Sequence, residues 1–231
     1  MPQPLVSTMK KIAVLCDFDG TVAQDDVGNL LFSTFAKSDD GRAAVAQWIK
    51  GEISSRECLE REAAAARCCP DTIKGFLSER RLDPYFKDFH DFARQRGIEV
   101  VVLSDGLDHY IEHMLVRNGL GGIEFFANRL RIDGDTLRVE FPWYDMLECT
   151  ECGCCKTHHL MRYREEGYFI VYVGNGLSDR CPCESADLVL AKGELLEHCR
   201  AKNIGAVEFK NFRDVEREVL KRLVLGESNS A

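Results

Sequence analysis

The chain predicts an α/β fold: a parallel central sheet covered by helices on both faces, with an all-helical segment inserted after the first strand. Three observations carry this. The runs Ile12-Ala13-Val14-Leu15-Cys16, Val100-Val101-Val102-Leu103 and Phe169-Ile170-Val171-Tyr172-Val173 are apolar with little alternation, as strands buried on both faces are. Each run passes directly into polar or acidic residues, and open α/β sheets build their sites at the carboxyl ends of strands. Between the first two runs, residues 25–81 keep a helical period with no strand, far longer than one crossover helix requires.

In chain order, residues 1–10 read as a frayed leader and 11–17 as the first strand. In the helical segment, Leu30, Leu31, Phe32 and Phe35 form one apolar face, and Val45, Trp48 and Ile49 another. Ser54-Ser55-Arg56-Glu57 opens a helix as a capping box would, and Pro70-Asp71 opens the next. Asp83-Pro84 begins the return helix, with Phe86, Phe89 and Phe92 on one side and Gly97 as its stop. The second strand spans 98–103 and ends at Ser104-Asp105-Gly106; a helix to about Asn118-Gly119 follows. Asp133-Gly134 is a hairpin turn between Leu130-Arg131-Ile132 and Leu137-Arg138-Val139. Cys149-Thr150-Glu151-Cys152-Gly153-Cys154-Cys155-Lys156 opens a helix to about Glu166. The third core strand ends in Gly174-Asn175-Gly176-Leu177-Ser178-Asp179. Strands at 187–190 and 206–209 are each followed by helix, and the polar tail from Gly226 to Ala231 reads as disordered.

At 231 residues the chain has ample material for a core. A net charge of −8 with dispersed charges does not suit nucleic-acid binding, so no nucleic-acid partner is expected. An anionic substrate would need local positive charge from a metal, a lysine or helix N-termini. No apolar run approaches membrane-span length, and Met1-Pro2-Gln3-Pro4 lacks the regions of a signal peptide, so a cytoplasmic location without a membrane partner is expected. The eleven cysteines are odd in number and mostly paired in sequence, which suits reduced thiols or a metal better than a disulfide framework. Oligomeric state is not legible.

The strand ends supply complementary chemistry. Asp17 and Asp19, two apart in extended chain, point to one side, an arrangement that is costly unless a cation or anionic chemistry uses it. Asp17 suits a nucleophile, and Asp19 a group that holds and releases a proton. Ser104 offers a hydroxyl and a following helix N-terminus to phosphate oxygens, and Lys156 offers them a point charge. Asn175 and Asp179 offer hard oxygens to magnesium. Such an inventory suits phosphoryl transfer through an aspartyl-phosphate.

Asp17-Phe18-Asp19-Gly20-Thr21-Val22, Ser104, Lys156 and Gly174-Asn175-Gly176-Leu177-Ser178-Asp179 resemble, in order and spacing, the four motifs of the haloacid dehalogenase (HAD) superfamily of phosphatases. The resemblance implies a HAD-like Rossmannoid three-layer sandwich of residues 1–24 and 82–231. It also implies a helical C1 cap over 25–81, as in the phosphoserine-phosphatase-like branch. Within that branch the chain looks closest to the MtnX-like methionine-salvage phosphatases, which act on 2-hydroxy-3-keto-5-methylthiopentenyl-1-phosphate. The cysteine cluster before Lys156 and the continuation Arg180-Cys181-Pro182 carry that likeness. Phosphoethanolamine/phosphocholine phosphatases share a Cys-Lys third motif and are the alternative. The implied cofactor is Mg2+ and the implied partner a small phosphorylated metabolite. The family roles make Asp17 nucleophile and metal ligand, and Asp19 acid-base with its carbonyl on the metal. Thr21 and Ser104 bind phosphate, Lys156 neutralises Asp17 and the phosphoryl oxygens, and Asn175 and Asp179 complete the metal set. Asp26 matches the acidic residue after the first motif, and Asp105 and Gly106 face substrate beside Ser104.

Two departures stand out. Asn175 replaces the usual aspartate, which weakens the metal site and admits a catalytically weak metabolite-binding protein as a further alternative. Glu62 stands where the branch has a carboxylate-binding arginine, which disfavours phosphoserine. Cys149, Cys152, Cys154 and Cys155 form a candidate structural Zn2+ site, although only one Cys-x-x-Cys pair is well spaced. Residues 61–67 read as a solvated helix face, and His158 and His159 as surface residues.

Overall fold

The computed structural model describes residues 11–228. Its centre is β1 (Ile12–Cys16), every residue of which is buried. β1 pairs in parallel with β2 (Glu99–Leu107) on one side and β5 (Phe169–Gly174) on the other, with Val14 opposite Val100 and Val171. β3 (Glu124–Asp133), β4 (Thr136–Glu140), β6 (Leu188–Ala191) and β7 (Ala206–Glu208) complete a seven-stranded sheet of order β4-β3-β2-β1-β5-β6-β7. Only the edge strand β4 runs antiparallel, joined to β3 by the Gly134 turn, whose φ of +61° glycine tolerates.

The lack of polar alternation in β1 now has its explanation. Ile12, Val14 and Cys16 face one apolar layer, with Phe86, Phe89, Ile111, Met114 and Phe212. Ala13 and Leu15 face the other, with Leu160, Ile170, Tyr172 and Leu195. The first layer is built by α5 (Phe86–Gln95), α6 (Asp108–Arg117) and α10 (Phe212–Ser228). The second is built by α7 (Lys156–Glu165), the short α8 (Arg180–Cys183) and α9 (Gly193–Lys202). The result is the expected three-layer sandwich.

Between β1 and β2 lie four helices: α1 (Val27–Phe35), α2 (Asp40–Ile49), α3 (Ser55–Ala65) and α4 (Pro70–Ser78). Asp26 caps α1 through the Asn29 amide at 2.9 Å, Ser54 caps α3 through the Glu57 amide at 3.2 Å, and Pro70 opens α4. The insertion leaves and rejoins the sandwich through one antiparallel stem, Ala23 opposite Leu82, closed by Gln24 N–H to Arg81 at 3.0 Å and Asp83 N–H to Val22 at 2.8 Å. It leans on the β3–β4 hairpin where Arg67 pairs with Thr136.

Three expectations change. β2 does not stop at Leu103 but continues, with a bulge in its register to β3, through Ser104-Asp105-Gly106 to Leu107. Ser104 therefore does not sit at a helix N-terminus, since α6 starts at Asp108. At the C-terminus the α10 backbone stays helical to Ser228 although the tail from Gly226 reads as disordered. The leader 1–10 and residues 229–231 lie outside the described residues.

Candidate active site

Asp17 follows β1, held by its own N–H on the Val173 carbonyl of β5 at 2.8 Å. Phe18 buries its ring, so the chain turns sharply there: Asp19 is extended and Gly20 has φ +69°. Gly20 is needed twice over, because a Cβ there would also lie 2.4 Å from the Asn175 amide. The turn brings Asp17 and Asp19 to the wall of a cavity of about 420 Å³ between the sheet's carboxyl edge and the helical insertion. Ser104, Gly106, Asn175 and Ser178 line it from the sheet side; Asp26, Trp48, Leu59 and Glu62 line it from the insertion.

Lys156 is buried behind Asp17. Its ammonium donates to Asp17 Oδ1 at 2.6 Å, to Asp179 Oδ1 at 2.7 Å and to Ser178 Oγ at 3.0 Å, using all three protons. Burial works against this charge, but Asp17 and Asp179 outweigh it and hold the lysine above its ordinary range. Burial, then the nearby Asp179 charge, push the Asp17 carboxyl up to about 7 against the pull of Lys156. Asp19 is held by the Val27 N–H at 2.8 Å and by the Tyr110 hydroxyl. Burial first, then Asp26, raise its carboxyl well above the ordinary carboxylate range. Ser104 accepts the Gly106 N–H at 2.9 Å, which leaves its own hydroxyl proton to donate. Gly106 admits no side chain: a Cβ would fall 1.7 Å from the Tyr110 hydroxyl and 2.5 Å from Asp19 Oδ2.

Several sequence assignments are corrected here. Asp179 is not available to a metal: its two oxygens accept from Lys156, the Tyr172 hydroxyl and the Asn175 and Gly176 amides, all within 2.9 Å. It anchors Lys156 instead. Thr21 is buried and donates to Asn175 Oδ1 at 3.0 Å rather than facing phosphate. Asp105 lines the cavity, but both its oxygens are taken, by Ser55, Cys154 and Asn128. Lys156 touches Asp17 and does not reach the cavity wall. The four-cysteine zinc site fails: Cys154 is buried in the second apolar layer while Cys149 and Cys152 stay half-exposed. Among the described residues no group of three or more His, Cys, Asp or Glu is placed to hold a metal. All eleven cysteines are free thiols. Glu62 is not solvated but buried and turned to the cavity, its carboxyl raised to about 8 by burial and then by Asp26. His159 is fully buried, its ring stacked on Phe126 at 3.9 Å.

Sequence reasoning overlooked Tyr110, Tyr172 and Ser178, the hydroxyls that hold Asp19, Asp179 and Lys156. Their one signal was an –OH carried into an otherwise apolar face or a motif loop, which periodicity does not separate from packing.

Comparison with known proteins bears on this arrangement. A profile of the family described as haloacid dehalogenase-like hydrolase matches residues 14–181. The chain belongs to that family. A 2-hydroxy-3-keto-5-methylthiopentenyl-1-phosphate phosphatase of Brevibacillus brevis is 27% identical over 211 residues, covering 90% of this chain and 95% of the relative. The enzyme of that name from Exiguobacterium sibiricum is 29% identical over 211 residues, covering 88% and 94%. Among solved structures, a phospho-aspartyl intermediate analogue of phosphoserine phosphatase superposes with a TM-score of 0.69 at 19% identity, covering 90% of this chain and 99% of the other. A probable phosphoserine phosphatase from Vibrio cholerae, unliganded, gives 0.71 at 18% identity, covering 96% and 67%. At such identities these structures share the fold. Among the described residues of this hydrolase no helix is long and apolar enough to cross a membrane.

The cavity suits the family's magnesium. Among the described residues no lysine or arginine lines it, so a dianionic ligand meets no basic side chain on the wall. Asp17 and Asn175 both line it, and their side chains carry the hard oxygen donors that magnesium takes.

Proposed function

We propose that this chain is a phosphomonoesterase that hydrolyses a small phosphorylated metabolite through a phosphorylated Asp17. The observation that carries it is Asp17 itself, at the cavity wall with one oxygen on a buried lysine and the Asp19 carboxyl two residues away. Lys156, fixed by Asp179 and Ser178, orients the Asp17 carboxylate. An Asp17 oxygen attacks phosphorus, the ester bond breaks, and Asp19 gives its proton to the departing alkoxide. Asp19, now a base, takes a proton from water; the water oxygen attacks the acyl phosphate and releases inorganic phosphate and Asp17. The Ser104 hydroxyl donates to a phosphoryl oxygen. Asp17, Asn175 and the Asp19 carbonyl would hold magnesium, which when bound would supply charge neutralisation for the phosphoryl group.

Residues 25–81 act as the cap over this cavity, and Asp26 and Glu62 meet the leaving group. The apolar wall of Val45, Trp48 and Leu59 fits a leaving group with a hydrocarbon or thioether portion. With the names of the curated relatives, this makes 2-hydroxy-3-keto-5-methylthiopentenyl-1-phosphate the first substrate to offer. Turnover of p-nitrophenyl phosphate in magnesium, lost by at least about a thousandfold in Asp17→Asn, is the expected result. Absence of turnover across a broad panel of phosphomonoesters overturns the reading.

Asn175 favours a second reading, a metabolite-binding protein of slow turnover, because its amide oxygen carries no formal charge and already accepts the Thr21 hydroxyl.

A further inference from the structure

We propose that Asp105 is a positioning residue that fastens the helical insertion and the loop before Lys156 to one point of the sheet. Its kinetic consequence rests on the phosphatase reading; the anchor itself does not. Asp105 lies in the β2 bulge beside Ser104, with its carboxyl half-buried at the cavity edge and, among the described residues, no lysine or arginine bonded to it. One oxygen serves each side. Oδ2 accepts the hydroxyl of Ser55, the first residue of α3. Oδ1 accepts the Cys154 N–H at 2.7 Å, two residues before Lys156, and the Asn128 amide at 3.4 Å. Ser55 is held a second time, its N–H on the Glu151 carbonyl at 2.8 Å. Arg56 then lies over the rings of Tyr144 at 4.6 Å and Phe141 at 5.4 Å.

The loop is seated against this carboxylate without slack. A Cβ on Gly153 would stand 2.9 Å from the Asn128 amide and 3.0 Å from Asp105 Oδ1. The unusual cysteine-rich stretch therefore has a use that needs no metal: it is a tight strap whose Cys154 amide hooks onto Asp105. The carboxylate suits the position because two segments each bring a donor from opposite sides. Asparagine there keeps an oxygen for Cys154 N–H and turns its NH2 to Ser55, whose hydroxyl can accept instead. Alanine loses both sides.

The test uses Ser55→Ala, Asp105→Asn, Asp105→Ala and the Ser55→Ala/Asp105→Ala double variant in the full chain. Amide hydrogen exchange over 55–58 and steady-state kinetics with p-nitrophenyl phosphate are read together. Ser55→Ala should speed exchange of the first turn of α3, and raise KM, by about tenfold, the loss of one hydrogen bond to a charged group, and Asp105→Ala, which also frees the Cys154 N–H, by at least as much. The kcat of Ser55→Ala should fall by less than KM rises. Asp105→Asn should stay near wild type, and the double variant should be no worse than Asp105→Ala alone. Raised KM in Asp105→Ala with α3 exchange unchanged would make the residue a substrate ligand and overturn the proposal; so would additive effects in the double variant. If the wild type turns over no phosphate, the phosphatase reading falls while the exchange result still decides the anchor. Should Asp105→Ala not fold, Ser55→Ala against Asp105→Asn decides it.

Discussion

Asn175 lines the cavity beside Asp17. Its amide supplies one oxygen without formal charge, and Thr21 already donates to that oxygen at 3.0 Å. Restoring a carboxylate should tighten magnesium binding. Asn175→Asp is expected to lower the magnesium concentration for half-maximal turnover by about tenfold, read from a metal titration of p-nitrophenyl phosphate hydrolysis. An unchanged or higher requirement would mean that residue 175 does not hold the metal. His159 is the opposite case, a polar residue whose environment makes no use of its polarity. Both ring nitrogens are buried without a partner, between Phe126 and Trp143. Burial pushes its pKa down from 6.5 to about 3. The unfolded chain therefore takes up a proton at 159 that the folded chain refuses, and the stability present above pH 6.5 drains away as pH falls toward 3. His159→Phe should raise stability by about 1 kcal/mol at neutral pH, and by more at pH 5, in paired urea unfolding curves. A gain that does not grow on acidification would contradict the protonation argument. Neither environment was legible in the sequence. The motif position of Asn175 was visible but its contact with Thr21 was not, and His159 carried the composition of a surface residue.

At the scale of elements, the helices and strands followed from local signals because the capping and turn chemistry was consistent. Ser54, Pro70, Gly97 and Gly134 each end or begin an element where their conformational preferences require. The β2 bulge was the exception. Ser104-Asp105-Gly106 reads as a loop because its composition is polar, yet pairing with β3 resumes at Leu107 opposite Asn128 and keeps the segment extended. Long-range pairing of that kind leaves no local signature. Packing between elements far apart in sequence was equally hidden. The last helix closes the first apolar layer through Phe212, whose ring meets Phe86 at 4.7 Å and Phe89 at 5.4 Å, so α10 is part of the core rather than an appendage. Phe212→Ala should cost about 3–5 kcal/mol, seen as a lowered urea midpoint. A loss below about 1 kcal/mol would show that α10 docks by other contacts.

For the whole molecule, charge sets a condition on any phosphorylated ligand. The chain carries a net −8, and the cavity is lined by carboxyl groups with no basic side chain among them. A dianionic substrate approaches a field of its own sign, which salt screens. With magnesium saturating, kcat/KM for p-nitrophenyl phosphate should rise about twofold between roughly 20 and 200 mM potassium chloride; a fall would point to a basic approach path. The identity of the fold was open to reading at this scale because three motifs sit at the carboxyl ends of the neighbouring strands β2, β1 and β5 and the fourth, Lys156, opens α7 beside them. The partners that set their chemistry, Tyr110 on Asp19 and Asp179 on Lys156, come from the packing of separate layers. The stem at Ala23 and Leu82 has one further consequence. Because departing and returning segments are hydrogen-bonded neighbours, the insertion leaves and rejoins the sandwich at one point beside the sheet. A transplant of residues 25–81 between related chains would therefore have to carry matching partners for Asp19 and Asp105, because Val27 and Ser55 bond them from within that stretch.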